Sequence, residues 1–92
     1  MRRMILAAAA ALGLLAVAGA AAASPTCTTE PKTKWLSEAQ MKAKVAQLGY
    51  QVKVFKVTGS CYEIYGHSKD GKKVEVYFNP VDGSIVRNNE ED

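Results

Sequence analysis

An α+β domain, one helix packed on a small antiparallel meander sheet of three to four strands, is the fold class this sequence predicts. Three observations predict it. The segment from Ser37 to Gly49 carries helix start and stop signals around apolar residues at helical spacing. Directly after Gly49 the apolar period changes to two, the signature of half-buried strands. The turns between the alternating runs are too short to join anything but antiparallel neighbours.

The elements follow in chain order. Arg2 and Arg3 precede an apolar, Ala- and Leu-rich run from Met4 to Ala18, and small residues continue through Ala23. This reads as a signal peptide over residues 1–23, with Ala21-Ala22-Ala23 supplying the small-x-small pattern and Ser24 the new N-terminus. A retained anchor fits less well, because Ala drives membrane insertion weakly. Ser-Pro-Thr before Cys27 does not make a lipobox. The expected location is therefore periplasmic or secreted, with no membrane association after cleavage.

Processing changes the charge. The full 92 residues hold twelve Lys and Arg against nine Asp and Glu, a net +3; losing Arg2 and Arg3 leaves ten against nine, a net +1. The only basic block left is Lys72-Lys73, so the chain lacks the electrostatic footprint of nucleic-acid binding.

What remains is one domain near the lower size limit for independent folding. Such a chain usually needs a staple. Cys27 and Cys61 both survive cleavage, and an even count in an oxidising compartment reads as one disulfide. Closing that loop is worth about 4 kcal/mol in the chain-entropy account. The competing reading, a metal or redox pair, lacks the CxxC spacing.

Residues 24–34 are polar and Pro-containing, an extended lead-in to a domain expected over 35–87. Ser37 is a good N-cap, Gln40 its capping-box partner, and Leu36 can staple against Met41. Gly49 supplies the left-handed residue at the C-terminal end, with Tyr50 placed to fold back on Val45. Met41, Val45 and Leu48 form a narrow stripe for the sheet, while Ala39, Ala43 and Ala46 lie nearly opposite, facing solvent. Gln51 to Thr58, Cys61 to His67, Lys73 to Phe78 and Ser84 to Arg87 then read as strands. Residues 88–92 are polar and acidic and are expected to form a disordered tail.

The central hairpin has two possible registers. A three-residue Lys69-Asp70-Gly71 loop puts Tyr62, Ile64, Gly66, Val74, Val76 and Phe78 on one face and Glu63, Tyr65, His67, Lys73, Glu75 and Tyr77 on the other. A two-residue loop mixes the sets, so the longer loop is expected. Cys61 then falls on the outer face, which requires the lead-in to reach that strand end or the strand to bulge. In the first strand Val52 and Val54 are out of step with Phe55 and Val57, which points to a bulge near Val54.

Trp35 before the capped helix, Gly49-Tyr50 at its end, Cys61-Tyr62-Glu63-Ile64-Tyr65, Asp70-Gly71-Lys72, Val74-Glu75-Val76-Tyr77, and Asn79-Pro80 with Gly83 resemble a PepSY domain, as found in small stand-alone periplasmic members of that family. The resemblance spans nearly all of the mature chain. It implies a non-catalytic extracytoplasmic interaction module that binds or restrains a peptidase or other envelope protein, and it supplies no catalytic residues. No peptidase domain is expected after Asp92, so any restraint would act on a separate protein.

The residues themselves agree that catalytic chemistry is thin. His67 is the single histidine; Ser60 and Ser68 sit at turns, where serine is favoured on conformational grounds. No cofactor motif is present. His67, Glu75 and Glu63 share the outer face, but three ligands on a flat wet sheet make a weak metal site, so no metal is expected. Tyr65 and Tyr77 among Glu63, Glu75, Lys73 and His67 form the candidate binding face, since aromatics in a charged surround suit protein contacts. A free edge strand is a second route to a peptide partner. The alternative is a small-ligand or metal-binding periplasmic protein using the His67 and Glu75 face.

Overall fold

The computed structural model describes residues 24–91; the expected signal peptide at 1–23 and the final Asp92 lie outside them. A short 3-10 turn (Lys32–Lys34) leads into helix α1 (Glu38–Gln47). Ser37 Oγ accepts the Gln40 N–H at 3.1 Å and Gln40 Oε1 accepts the Ser37 N–H at 2.9 Å, closing the expected capping box. At the other end Gly49, at φ +92°, donates to the Ala46 carbonyl and Tyr50 donates to the Val45 carbonyl. These two bonds serve carbonyls of the last helical turn.

Four strands follow: β1 (Gln51–Thr58), β2 (Cys61–His67), β3 (Lys73–Phe78) and β4 (Ile85–Glu91), antiparallel and in the order β1-β2-β3-β4. The β2–β3 hairpin takes the three-residue loop: Ile64 pairs with Val76, Tyr65 with Glu75 and His67 with Lys73. Gly71 stands at φ +85° where the turn closes. The bulge in β1 lies between Val52 and Val54. It brings the Gln51 carbonyl against Gly66, where a Cβ would collide with that oxygen.

The inner face carries the core. Met41 and Val45 from α1 pack on Tyr62, Ile64, Val74, Val76 and Phe78, with Trp35, Leu36, Tyr50 and Phe55 closing the margins. Trp35 meets Tyr62 edge-on at 5.4 Å, and the Tyr62 hydroxyl donates to the Leu36 carbonyl at 2.7 Å. The Leu36 N–H donates in turn to the Pro80 carbonyl at 2.8 Å, tying the helix entry to the β3–β4 loop.

Two expectations are corrected. Leu48 does not join the core stripe: it is 48% exposed, because Met41 and Val45 already fill the contact with the sheet. Residues 88–91 do not form a disordered tail. They extend β4, with Asn88 opposite Val76, Asn89 opposite Glu75, Glu90 opposite Val74 and Glu91 opposite Lys73. β3 would otherwise present an unpaired row of backbone groups, and satisfying that row does not require apolar side chains.

Candidate functional site

The outer face, which the helix leaves uncovered, is where the sequence places its candidate binding residues. It divides into a covered half and an open half. The lead-in reaches the first end of β2 and is fixed there by the Cys27–Cys61 disulfide, with Cα atoms 5.1 Å apart. The Cys27 N–H also donates to Ser60 Oγ at 2.9 Å. This crossing accounts for Cys61 on the outer face without a bulge in β2. Cys27, Cys61 and Tyr77 form a second small apolar cluster. Tyr77, expected to stand open beside Tyr65, is consequently only 6% exposed, with Arg87 over its ring at 5.8 Å.

Glu63 lies at the border between the halves and is 1% exposed. Its Oε1 accepts the Thr58 hydroxyl at 2.6 Å, and Lys56 Nζ stands 4.0 Å away. Its Oε2 is buried and has no N–H or O–H donor among the described residues. Glu75, across on β3, is better supplied. Its Oε2 accepts the Tyr65 hydroxyl at 3.0 Å and the Tyr77 hydroxyl at 2.8 Å, and its Oε1 accepts Asn89 Nδ2 at 3.3 Å.

The electrostatics follow from these contacts. Glu75 is lowered to about 2, first by the adjacent Glu63 carboxyl and then by the hydrogen bonds from Tyr77, Asn89 and Tyr65, against an opposing desolvation effect. The Tyr65 phenol is pushed up to about 12, first by its hydrogen bond to Glu75 and then by the nearby Glu63 carboxyl. The Tyr77 phenol is raised mainly by burial and then by its bond to Glu75.

The open half contains a hollow of about 410 Å³ bordered by Tyr65, His67, Lys73, Glu75, Asn89, Glu91 and Lys53, with Gly66 and Val74 at its base. Tyr65 is 40% exposed there, its ring under Lys56 at 5.3 Å. The structure thus gathers Tyr65, His67, Lys73 and Glu75 around one open surface and withdraws Tyr77 and Glu63 from it. Lys53, Asn89 and Glu91 were not anticipated. Lys53 enters because the bulge displaces it to the strand margin, and Asn89 and Glu91 because β4 runs further than its polar sequence suggests.

Ser60 Oγ and Ser68 Oγ accept backbone N–H groups of Cys27 and Lys72, serving the turns. Among the described residues, no three His, Cys, Asp or Glu side chains are placed together to hold a metal ion. Among the same residues, no helix is long and apolar enough to cross a membrane. The disulfide fits an oxidising compartment.

No curated protein and no solved structure is significantly similar to this chain. The family described as peptidase propeptide and YPEB domain, PepSY_2, matches it over residues 5–89. With a match over nearly its whole length and the helix-on-meander fold expected of such domains, the chain belongs to the PepSY family.

Proposed function

We propose that the protein is a non-catalytic regulatory module of the periplasm or cell exterior that binds a protein or peptide partner, a peptidase or other envelope protein, through the open half of its outer face. One observation carries this reading: a hollow of about 410 Å³ lies on the face the helix leaves free, with half-exposed Tyr65 at its rim. The Tyr65 ring is held from two sides, by its hydroxyl bond to Glu75 and by Lys56 over its face. An aromatic already fixed in place presents contact area at low entropic cost. His67, Lys73 and Glu75 around it carry both signs of charge and favour a partner with complementary polar groups. Family membership agrees with a propeptide-like, regulatory role.

The test is capture from envelope extract by the oxidised protein, wild type against Tyr65→Ala. The expected result is a specific partner retained by wild type and lost by the variant, with unchanged circular dichroism. Equal capture by both would remove Tyr65 from recognition. A second reading, a small ligand in the same hollow, draws on its size, which lies in the range of small-molecule sites. Thermal-shift screening with small polar metabolites distinguishes it, because a small ligand would raise the melting temperature with no partner protein present.

A further inference from the structure

We infer that β1 is an acceptor edge for an acidic extended segment of another protein, which adds to the sheet as a fifth strand. The inference deepens the binding-module reading above and rests on it. β1 is an end strand of the sheet, so its outward row of N–H and C=O groups has no strand neighbour among the described residues. It is eight residues long, and Val52, Val54 and Val57 are each more than two-fifths exposed. Such an edge is a template for strand addition unless something blunts it.

The flanking surface says which strand it fits. On the inner face a groove of about 500 Å³ separates α1 from the β1 margin, lined by Lys42, Ala46, Tyr50, Val52, Lys53 and Phe55. Lys42 stands over the Phe55 ring at 5.3 Å. An added strand would send alternate side chains into this groove, where Phe55, Tyr50 and Ala46 offer apolar contact. Its other side chains would fall on the outer face beside Lys56, whose nearest acid, Glu63, is 4.0 Å away and almost fully buried. Lys53 borders both this groove and the outer hollow, so it stands where an incoming strand must pass.

β1 itself carries two lysines and no acid. The charge therefore selects among partners. Two β1 edges meeting would set lysine against lysine, which is unfavourable in a cross-strand pair, whereas an acidic strand gains at both positions. Lysines on an edge prevent indiscriminate pairing; here they also define the complement, a segment alternating apolar and acidic residues.

The probes are blocked synthetic peptides of the length of β1: one alternating Glu and Val, one alternating Lys and Val, and one of the Glu composition in scrambled order. They are titrated into the oxidised protein with amide hydrogen exchange followed by NMR. The expected result is binding of the Glu-Val peptide alone, with slowed exchange at alternate amides of β1 and loss of affinity at high salt. Lys53→Glu/Lys56→Glu should weaken that peptide by about tenfold or more and admit the Lys-Val peptide instead. Lys53→Gln/Lys56→Gln, which adds no charge beside Glu63, should give the same loss without the switch. The inference is overturned by equal binding of all three peptides, by protection confined to β4 or absent, or by anionic vesicles binding where the Glu-Val peptide does not. It is also overturned if sedimentation shows self-association that protects β1 without peptide. If the peptide fails while Tyr65→Ala still abolishes partner capture, the outer-face reading stands and only the edge assignment falls.

Discussion

Glu63 has less freedom than any other acid on the sheet: one oxygen is committed to Thr58 and the other is buried without a donor. A buried carboxyl oxygen without a donor is a candidate for replacement by an amide nitrogen, which brings its own protons. Glu63→Gln is expected to be at least as stable as wild type at neutral pH, its amide donating to Glu75 and its carbonyl still accepting from Thr58. Glu63→Ala should cost about 2 kcal/mol, since it orphans the Thr58 hydroxyl and opens a void; denaturant melts would rank the three proteins. The same cluster sets a pH window. Glu75 is depressed from 4.5 to about 2, so its contribution is present above 4.5 and lost as pH falls toward 2. Tyr65 is raised from 10.0 to about 12, so its contribution is present below 10 and lost as pH rises toward 12. Urea midpoints across pH should show both slopes, and Glu75→Gln should flatten the acid one.

The strands and helix differ in how far their sequences alone determine them. Ile64 and Val76 face each other across β2 and β3 and are fully buried beneath α1. Ile64→Ala should cost about 2–5 kcal/mol and Val76→Ala somewhat less, whereas changes at exposed Lys73 should stay near 0.5 kcal/mol. Gly66→Ala should also destabilise, because the Gln51 carbonyl occupies the space a methyl group would take. Equal denaturant midpoints for Gly66→Ala and wild type would show that the bulge relaxes. The capping box, the left-handed Gly49, the bulge near Val54 and the three-residue hairpin loop were all readable in advance, because each depends on residues close in sequence. The extension of β4 was not. Asn88-Asn89-Glu90-Glu91 has no apolar alternation, and its pairing depends on what β3 leaves unsatisfied. Leu48 shows the same limit in reverse, since it lies on the correct helical arc but at the helix end, where Met41 and Val45 already fill the contact with the sheet.

For the molecule taken whole, the decisive long-range connection is the lead-in crossing the outer face. The sequence raised the need for it through the position of Cys61, but it could not show that the crossing would enclose Tyr77 and divide the face into two unequal halves. That division is why the open site centres on Tyr65 rather than on a tyrosine pair. Replacing both cysteines by alanine should lower stability by about 4 kcal/mol. It should also loosen the lead-in, so that Tyr77 becomes accessible to a quencher or to nitration while the α1 core persists. Unchanged Tyr77 accessibility would mean that lead-in packing, not the covalent link, holds the cover in place.

The strands lie in the sheet in the order in which they occur in the chain, and this has a kinetic consequence. Each pairing closes only a short turn, a topology associated with rapid assembly. Cys27 and Cys61, by contrast, are 34 positions apart, and Cys27 lies ahead of both the helix and the first strand. The meander therefore does not wait for the thiols; it forms the surface on which they meet. An oxidase acting on the chain would find a nearly native substrate with a single pair to join, so bond formation should trail the burial of Trp35 in time and need no isomerase to correct it.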